Sequence, residues 1–325
     1  MTLGGLDPSA RVLVLGDLCV DTIVSAPLPI TWSGAAAISE PLLQVPIADR
    51  IGGTAYQFAR AAARHGLRPT LVGCVGEDPA GDLIINELAS RGLDHHIQRS
   101  PSAPTARSVL AFDAMGARLM FTSSVNANDQ LSVDFGPVCA DHPLKACWLS
   151  GMCLRSRNAA RFRTVIEGVA HARSRGAMIL LDLVPHTFHR LFSSLHEVMS
   201  VLGGLDGVVA DLAAARKMLD LPASQETTVA VAMHATAEAL VDIVPFAVLQ
   251  WHDAEHYLQL AVSRSGFTAA ATRPVPQGIA LVGYGDALAA EAVRDYLAHS
   301  PATPGPSRVS TARGECSANA TGESR

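Results

Sequence analysis

Near the end of the chain, Gly283-Tyr284-Gly285-Asp286 runs straight into Ala287-Leu288-Ala289-Ala290-Glu291-Ala292-Val293. These residue types, in this order, suit chemistry on an anion. Two glycines let the backbone come close to a ligand, and the Ala-rich run has high helix propensity. A helix beginning here would aim unpaired N–H groups and its positive dipole end at whatever lies in front. A phosphate fits such a position. Asp286, at the mouth of the helix, could take the proton of a hydroxyl attacking that phosphate. The plain alternative is a glycine-rich turn with Asp in the first helical turn. Short glycine motifs match often by chance, so the elements around this one have to decide.

Those elements alternate. Arg11-Val12-Leu13-Val14-Leu15-Gly16 is a continuous apolar run, as in a buried strand of a parallel sheet. Asp17 and Asp21 follow at its carboxyl end, where open α/β sheets bind ligands. Residues 25–50 are rich in Pro, Ser and Ala and read as short strands or a flap. Ile51-Gly52-Gly53-Thr54 opens a helix that closes at His65-Gly66. A strand over 70–76, a turn over 77–81 and an amphipathic helix over 82–91 come next. Residues 106–123 read as a hairpin around Asp113-Ala114-Met115-Gly116. With the flap it could form a small second sheet. Strands at 146–151, 177–182 and 207–210 then alternate with helices at 156–174, 186–202, 213–219 and 227–239. Residues 246–251 and 256–261 read as paired strands. The pattern predicts an α/β fold with a mostly parallel sheet and covering helices. From Ser300 to Arg325 the chain is rich in Ser, Thr, Pro, Gly and Ala, and is expected to be a disordered tail.

Composition narrows the class. The chain has 325 residues, 49% hydrophobic and only 17% charged, with a net charge of -5. That supplies a large core, and the absence of a basic stripe argues against nucleic acid as a partner. No apolar run reaches the roughly 18 residues of a membrane span. No signal peptide is visible at the N-terminus. Six cysteines without a C-x-x-C pair fit reduced thiols in a cytoplasmic protein. Cys19 and Cys153 lack a nearby His partner and read as packing residues.

The glycine pairs and the order of elements resemble the ribokinase-like (PfkB) carbohydrate and nucleoside kinases. The likeness is carried by Gly52-Gly53-Thr54-Ala55-Tyr56-Gln57-Phe58-Ala59-Arg60 and its continuation to His65-Gly66. It runs on through Leu71-Val72-Gly73-Cys74-Val75-Gly76-Glu77-Asp78-Pro79-Ala80-Gly81 to Gly92-Leu93. Asn126-Ala127-Asn128, Leu149-Ser150-Gly151 and the strand ending at Asp182 fall in the family's order, and Gly283-Tyr284-Gly285-Asp286 resembles its G-A-G-D motif. The resemblance implies a three-layer ribokinase-like sandwich over 8–299, with a small β lid near 24–50 and 104–124. It implies an ATP-dependent carbohydrate kinase, working with Mg²⁺ on a sugar or nucleoside hydroxyl. Asp286 would be the general base, and Gly283, Tyr284 and Gly285 the anion hole. Asp17, Asp21, Gly52, Gly53 and Gln57 would bind the substrate, while Asp211 and Gln250 would lie on the nucleotide side. No protein metal ligand is assigned. Lid strands could pair between subunits of a homodimer.

The chain also departs from that family. Gln57 stands where the family has Asn, and Ala280-Leu281-Val282 replaces D-T-x. Asp211-Leu212-Ala213-Ala214 aligns with N-x-x-E and lacks the glutamate. Gln250-Trp251-His252-Asp253-Ala254-Glu255 aligns with the T-x-G-x-x-G nucleotide loop and contains no glycine. Nearly every loss is on the ATP side. A second expectation follows: a kinase fold that binds a sugar-like ligand without efficient catalysis. His252 and His256 have metal-ligand spacing, but the alternation around them favours a hairpin over a helix. His186 and His189 could border the pocket or be exposed first-turn residues. Asp182 could be a ligand or a strand-end cap.

Overall fold

A computed structural model describes residues 10–25, 44–112, 118–140, 143–184, 191–221, 228–276 and 278–299. In chain order they form strands β1 (Arg11–Leu15), β2 (Cys19–Ser25) and β3 (Ile47–Gly52), helix α1 (Thr54–Arg64), strand β4 (Arg68–Gly76) and helix α2 (Pro79–Ser90). Strands β5 (Asp94–Ser100), β6 (Ala106–Phe112), β7 (Arg118–Thr122), β8 (Leu144–Ser150), β9 (Met178–Leu183) and β10 (Gly207–Asp211) follow. The set closes with β11 (Phe246–His252), β12 (His256–Ser263) and β13 (Thr268–Pro274). Among the described residues the main sheet has the order β13-β12-β11-β10-β9-β8-β1-β4-β5. All neighbours from β11 to β5 are parallel, and β12 and β13 are added antiparallel.

Both faces of this sheet are covered, which explains the unbroken apolar run of β1. Leu13 and Leu15 point into one core with Cys147, Leu149, Ile179 and Leu181, beneath helices Ala160–Ser174, Leu195–Leu202, Leu212–Met218 and Val229–Ile243. Val12 and Val14 point into the other with Trp148, Leu180 and Val248, beneath α1, α2 and the helix Tyr284–His299. Phe58 of α1 stacks on Trp148 at 3.8 Å, and Tyr296 stacks on Phe246 at 4.0 Å. These contacts fix the last helix against α1 and β11, so its N-terminus meets the carboxyl edge of the sheet.

A second sheet, β3-β2-β6-β7, forms the small lid. Ile23, Leu110 and Phe112 on its inner face pack against Val282, one residue before the Gly283 turn. The hairpin expected over 106–123 is present as β6 and β7. Its turn, most of the flap, His186, His189 and the tail from Ser300 lie outside the described residues.

Several boundaries differ from the sequence reading. Helix α2 begins at Pro79 rather than Asp82, because Asp78 caps it by accepting the Gly81 N–H at 2.8 Å and Pro79 needs no N–H there. The helix expected from Ser156 starts at Ala160. Of the helix expected over 186–202, residues 186–190 lie outside the described residues, Leu191 is helical, and Leu195–Leu202 form a helix capped by Ser194. Strand β5 escaped notice because Asp94-His95-His96-Ile97 is a polar sequence that suits an edge strand.

A further buried charged group lies beside Asn128, which bonds both backbone groups of Leu18 just past β1. Arg161 is 2% exposed and lies 2.8 Å from Asp129, whose other oxygen takes a 3.1 Å bond from Arg155. The Arg161 contact is off the hydrogen-bond line, so it holds mainly by charge.

Candidate active site

One side of the carboxyl edge is built by the crossing of β2, β3 and α1. Asp21 sits buried in β2 and accepts the Cys19 thiol at 3.2 Å. A Cβ on Gly52 would lie 2.0 Å from an Asp21 carboxylate oxygen, so glycine is required there by the acid beside it. Gly53, with φ of 99°, then turns the chain into α1. One turn on, Gln57 is 7% exposed and donates to the Ile51 carbonyl at 3.2 Å, while its Oε1 has no partner. Asp17, just after β1, accepts from the hydroxyls of Thr54 and Ser150, both at 3.0 Å. Asp17, Asp21, Gly52, Gly53 and Gln57 are therefore gathered around the start of α1.

The Gly283-Tyr284-Gly285-Asp286 turn does start a helix. Gly283 has φ of 75°, and the first intrahelical bond runs from the Ala287 N–H to the Gly283 carbonyl at 3.1 Å. The N–H groups of residues 284–286 precede that bond and so have no partner within the helical ladder. The two glycines have a more local cause than the sequence implied. A Cβ at 283 would meet Gln57 at 2.6 Å, and one at 285 would meet the Tyr257 hydroxyl at 2.7 Å and Gln250 at 2.9 Å. Their own neighbours, rather than a ligand, occupy that space.

Asp286 joins Asp17, Asp182 and Asp211 at the carboxyl edge. Burial, followed by the charges of Asp17 and Asp211, pushes the Asp286 carboxyl up to about 8, partly offset by its own backbone N–H. Asp182, in register with Ser150, is pushed well above the carboxylate range by burial and then by Asp286, Asp211 and Asp17. Sequence reading left Asp182 open as a cap or a ligand. Its charge is coupled to Asp286, a link that strand-end position alone hinted at.

Where the resemblance put the nucleotide loop, the chain forms a tight hairpin. Gln250 of β11 pairs in register with Gln259 of β12, and His252 with Tyr257. Asp253 accepts from the N–H groups of Glu255 and His256, both at 2.7 Å, closing the turn. Gln250 donates to Gln259 at 2.9 Å and to the Gly285 carbonyl at 2.8 Å, and Tyr257 donates to Gln250 at 3.0 Å. Gln259 reaches the Leu288 carbonyl at 3.0 Å. Gln250 thus braces the Asp286 helix with its own amide. Sequence reading missed Tyr257 and Gln259 as partners in this network, although the alternation of β12 points both toward Gln250. His252 and His256 lie on separate strands of the hairpin, and among the described residues no group of three His, Cys, Asp or Glu could hold a metal ion. Cys19 and Cys153 are buried, and burial raises both thiols, as packing residues require.

The amides and the raised carboxylate at the helix mouth fit a phosphoryl group. The paired hairpin lacks the open glycine amides of a nucleotide loop.

The comparisons agree with this architecture. The model of the pfkB family carbohydrate kinase matches residues 32–240, and the chain belongs to that family. The bifunctional protein HldE of Azotobacter vinelandii is 38% identical over 100 residues, covering 29% of this chain and 19% of that protein. HldE of Chromohalobacter salexigens is 29% identical over 208 residues, 62% of this chain and 40% of that protein. The matched part of the chain thus spans well under half the length of these curated relatives. Adenosine kinase from Sinorhizobium meliloti is similar in fold, with a TM-score of 0.67 and 18% identity over 90% of this chain and 89% of that one. Fructokinase with bound ATP from Xylella fastidiosa has a TM-score of 0.58 and 19% identity, covering 90% and 88%. The described residues contain no helix long and apolar enough to cross a membrane.

Proposed function

We propose that this chain is a carbohydrate kinase that transfers the γ-phosphoryl group of ATP to a hydroxyl of a sugar or nucleoside. The observation that carries this is Asp286: a carboxyl raised to about 8, in the first turn of a helix, at the carboxyl edge of a parallel sheet. A base of that strength takes a proton from an alcohol as the oxygen attacks. The N–H groups around Gly283, Tyr284 and Gly285 hold the charge of the transferring group. Asp21 orients the acceptor hydroxyls, with Asp17 steadied by Thr54 and Ser150 and Gln57 offering an acceptor oxygen. Asp211 and the braced Gln250 border the nucleotide. Bound ATP with Mg²⁺ would supply the phosphoryl group and neutralise its charge. The chain acts on a small molecule, in the cytoplasm.

A second reading has its own support. Gln250 and Tyr257 fill the space beside Gly285, and the hairpin has no glycine loop. That favours a protein that binds a sugar-like ligand without efficient catalysis.

A thermal shift separates the two. Mg·ATP at about 100 times its Kd stabilises a binding-competent fold by ~2.7 kcal/mol. We expect Tm to rise with Mg·ATP, and to rise with sugars or nucleosides in the same panel. A rise with sugars and none with ATP selects the second reading and ends the kinase proposal.

The acceptor side has a separate test. Gly52→Ala forces Asp21 out of place, so acceptor affinity should fall about tenfold, a loss of ~1.4 kcal/mol, with ATP affinity unchanged. Calorimetry with both ligands reads this directly. Equal acceptor affinity in the variant would remove Asp21 from the site.

A further inference from the structure

Three buried polar side chains of the β11–β12 hairpin form one continuous run of hydrogen bonds against the helix that carries Asp286. The Tyr257 hydroxyl donates to Gln250 Oε1 at 3.0 Å. Gln250 Nε2 donates to Gln259 Oε1 at 2.9 Å and to the Gly285 carbonyl at 2.8 Å. Gln259 Nε2 donates to the Leu288 carbonyl at 3.0 Å. The strand register that sets Gln250 opposite Gln259 brings the run together.

Gly285 and Leu288 are three residues apart, so their carbonyls lie on one face of the helix, with Asp286 between them in sequence. The run has a single direction. Backbone carbonyls only accept, so both amides must turn their nitrogens toward the helix. Gln250 then presents its oxygen to Tyr257, whose proton holds it there. Burial, followed by the charges of Asp211, Asp286 and Asp182, raises the Tyr257 hydroxyl, so it remains a donor. Its ring is fixed in turn, edge to face with Tyr284 at 5.2 Å and stacked on His252 at 5.6 Å. Losing one link leaves a buried polar group unpaired. Helix ends fray when nothing outside supports them, and a reacting group tolerates little misplacement.

We infer that Tyr257, Gln250 and Gln259 are positioning residues that hold the first turn of this helix, and with it Asp286, in one place. This rests on the kinase reading for what Asp286 does. It adds the residues that act through that turn.

Tyr257→Phe removes one proton donor and keeps the ring. It should lower kcat about tenfold to 100-fold, the scale of a small misplacement, with acceptor KM within about twofold. Gln259→Met should do the same. The double variant should lose no more than the worse single one, because the links act as a unit. A loosened turn also admits water to Asp286, whose carboxyl then moves down from about 8. The charges that act on Asp286 come from Asp17, Asp182, Asp211, Tyr257 and Arg60, and neither variant alters the net charge among them. The rise of kcat with pH should therefore move to lower pH in both variants, whereas a merely structural loss would leave it in place. Melting curves over about pH 4 to 9 read the same shift without turnover. Stability falls as pH rises from the unfolded to the native value, so a lower native value makes the fall shallower. That difference should vanish when Asp286→Asn is added. Unchanged kcat in Tyr257→Phe, additive losses in the double variant, or an unmoved melting slope overturns the inference. A shallower slope in a protein without any phosphoryl transfer would keep the bracing and remove the kinase reading.

Discussion

Asp286→Asn should lower kcat by about 10²- to 10⁴-fold, the usual span for removing a general base, with acceptor affinity nearly unchanged. The amide keeps the shape and loses the proton-accepting oxygen, so the effect belongs in kcat. Wild-type turnover should climb with pH through about 8, because only the ionised carboxylate accepts a proton. Stability should move the opposite way. Between the ordinary carboxylate pKa of about 4 and the native value of about 8, the folded chain keeps a proton that the unfolded chain has lost. Stability therefore falls as pH rises through that window. Asn carries no such penalty, so the variant should gain at least about 1 kcal/mol at pH 9, or ~2–4 °C in Tm, and gain little at pH 4. Asp182, raised for the same reason, leaves a residual slope in the variant. A pH series of melting curves beside steady-state kinetics reads both effects. Undiminished turnover in Asp286→Asn removes this residue from the chemistry.

The largest loss of stability should come from Asp129→Ala. Arg161 is 2% exposed, and Asp129 is the carboxylate 2.8 Å from it. Removing the acid leaves a buried guanidinium without compensation, which costs about 3–5 kcal/mol. Arg155 loses its partner as well. Replacing both members of the buried pair, as in Asp129→Leu with Arg161→Met, should recover much of the loss, because an apolar pair has no charge to desolvate. Denaturant midpoints of the wild type and the two variants decide the matter. A loss under about 1 kcal/mol for Asp129→Ala would mean that Arg161 finds water or another partner.

The sequence made the sheet legible where both of its faces are buried. Strands β1, β4 and β8 read as apolar runs because helices cover both sides. It was least legible at the edges, where β5 is polar and β13 is made largely of small and polar residues. Helix starts moved by a few residues wherever a cap such as Asp78 or Ser194 overruled the apolar pattern. The glycine pair and Gln57 were legible because they lie within one short segment, and Asp17 and Asp21 because they follow an apolar strand. The bracing by Gln250, Tyr257 and Gln259 was not, since it depends on a strand register that brings residues 250, 259 and 285 together.

The Gly283 turn also changes what its own residues testify to. Two of its positions admit no side chain because glutamines and a tyrosine from the same chain already stand there. A protein that had abandoned phosphoryl transfer would still need both glycines simply to fold around those neighbours. Asp286 answers to no such packing demand and weakens the fold at neutral pH. In that short segment only the carboxylate, whose burial costs stability, supports the proposed transfer.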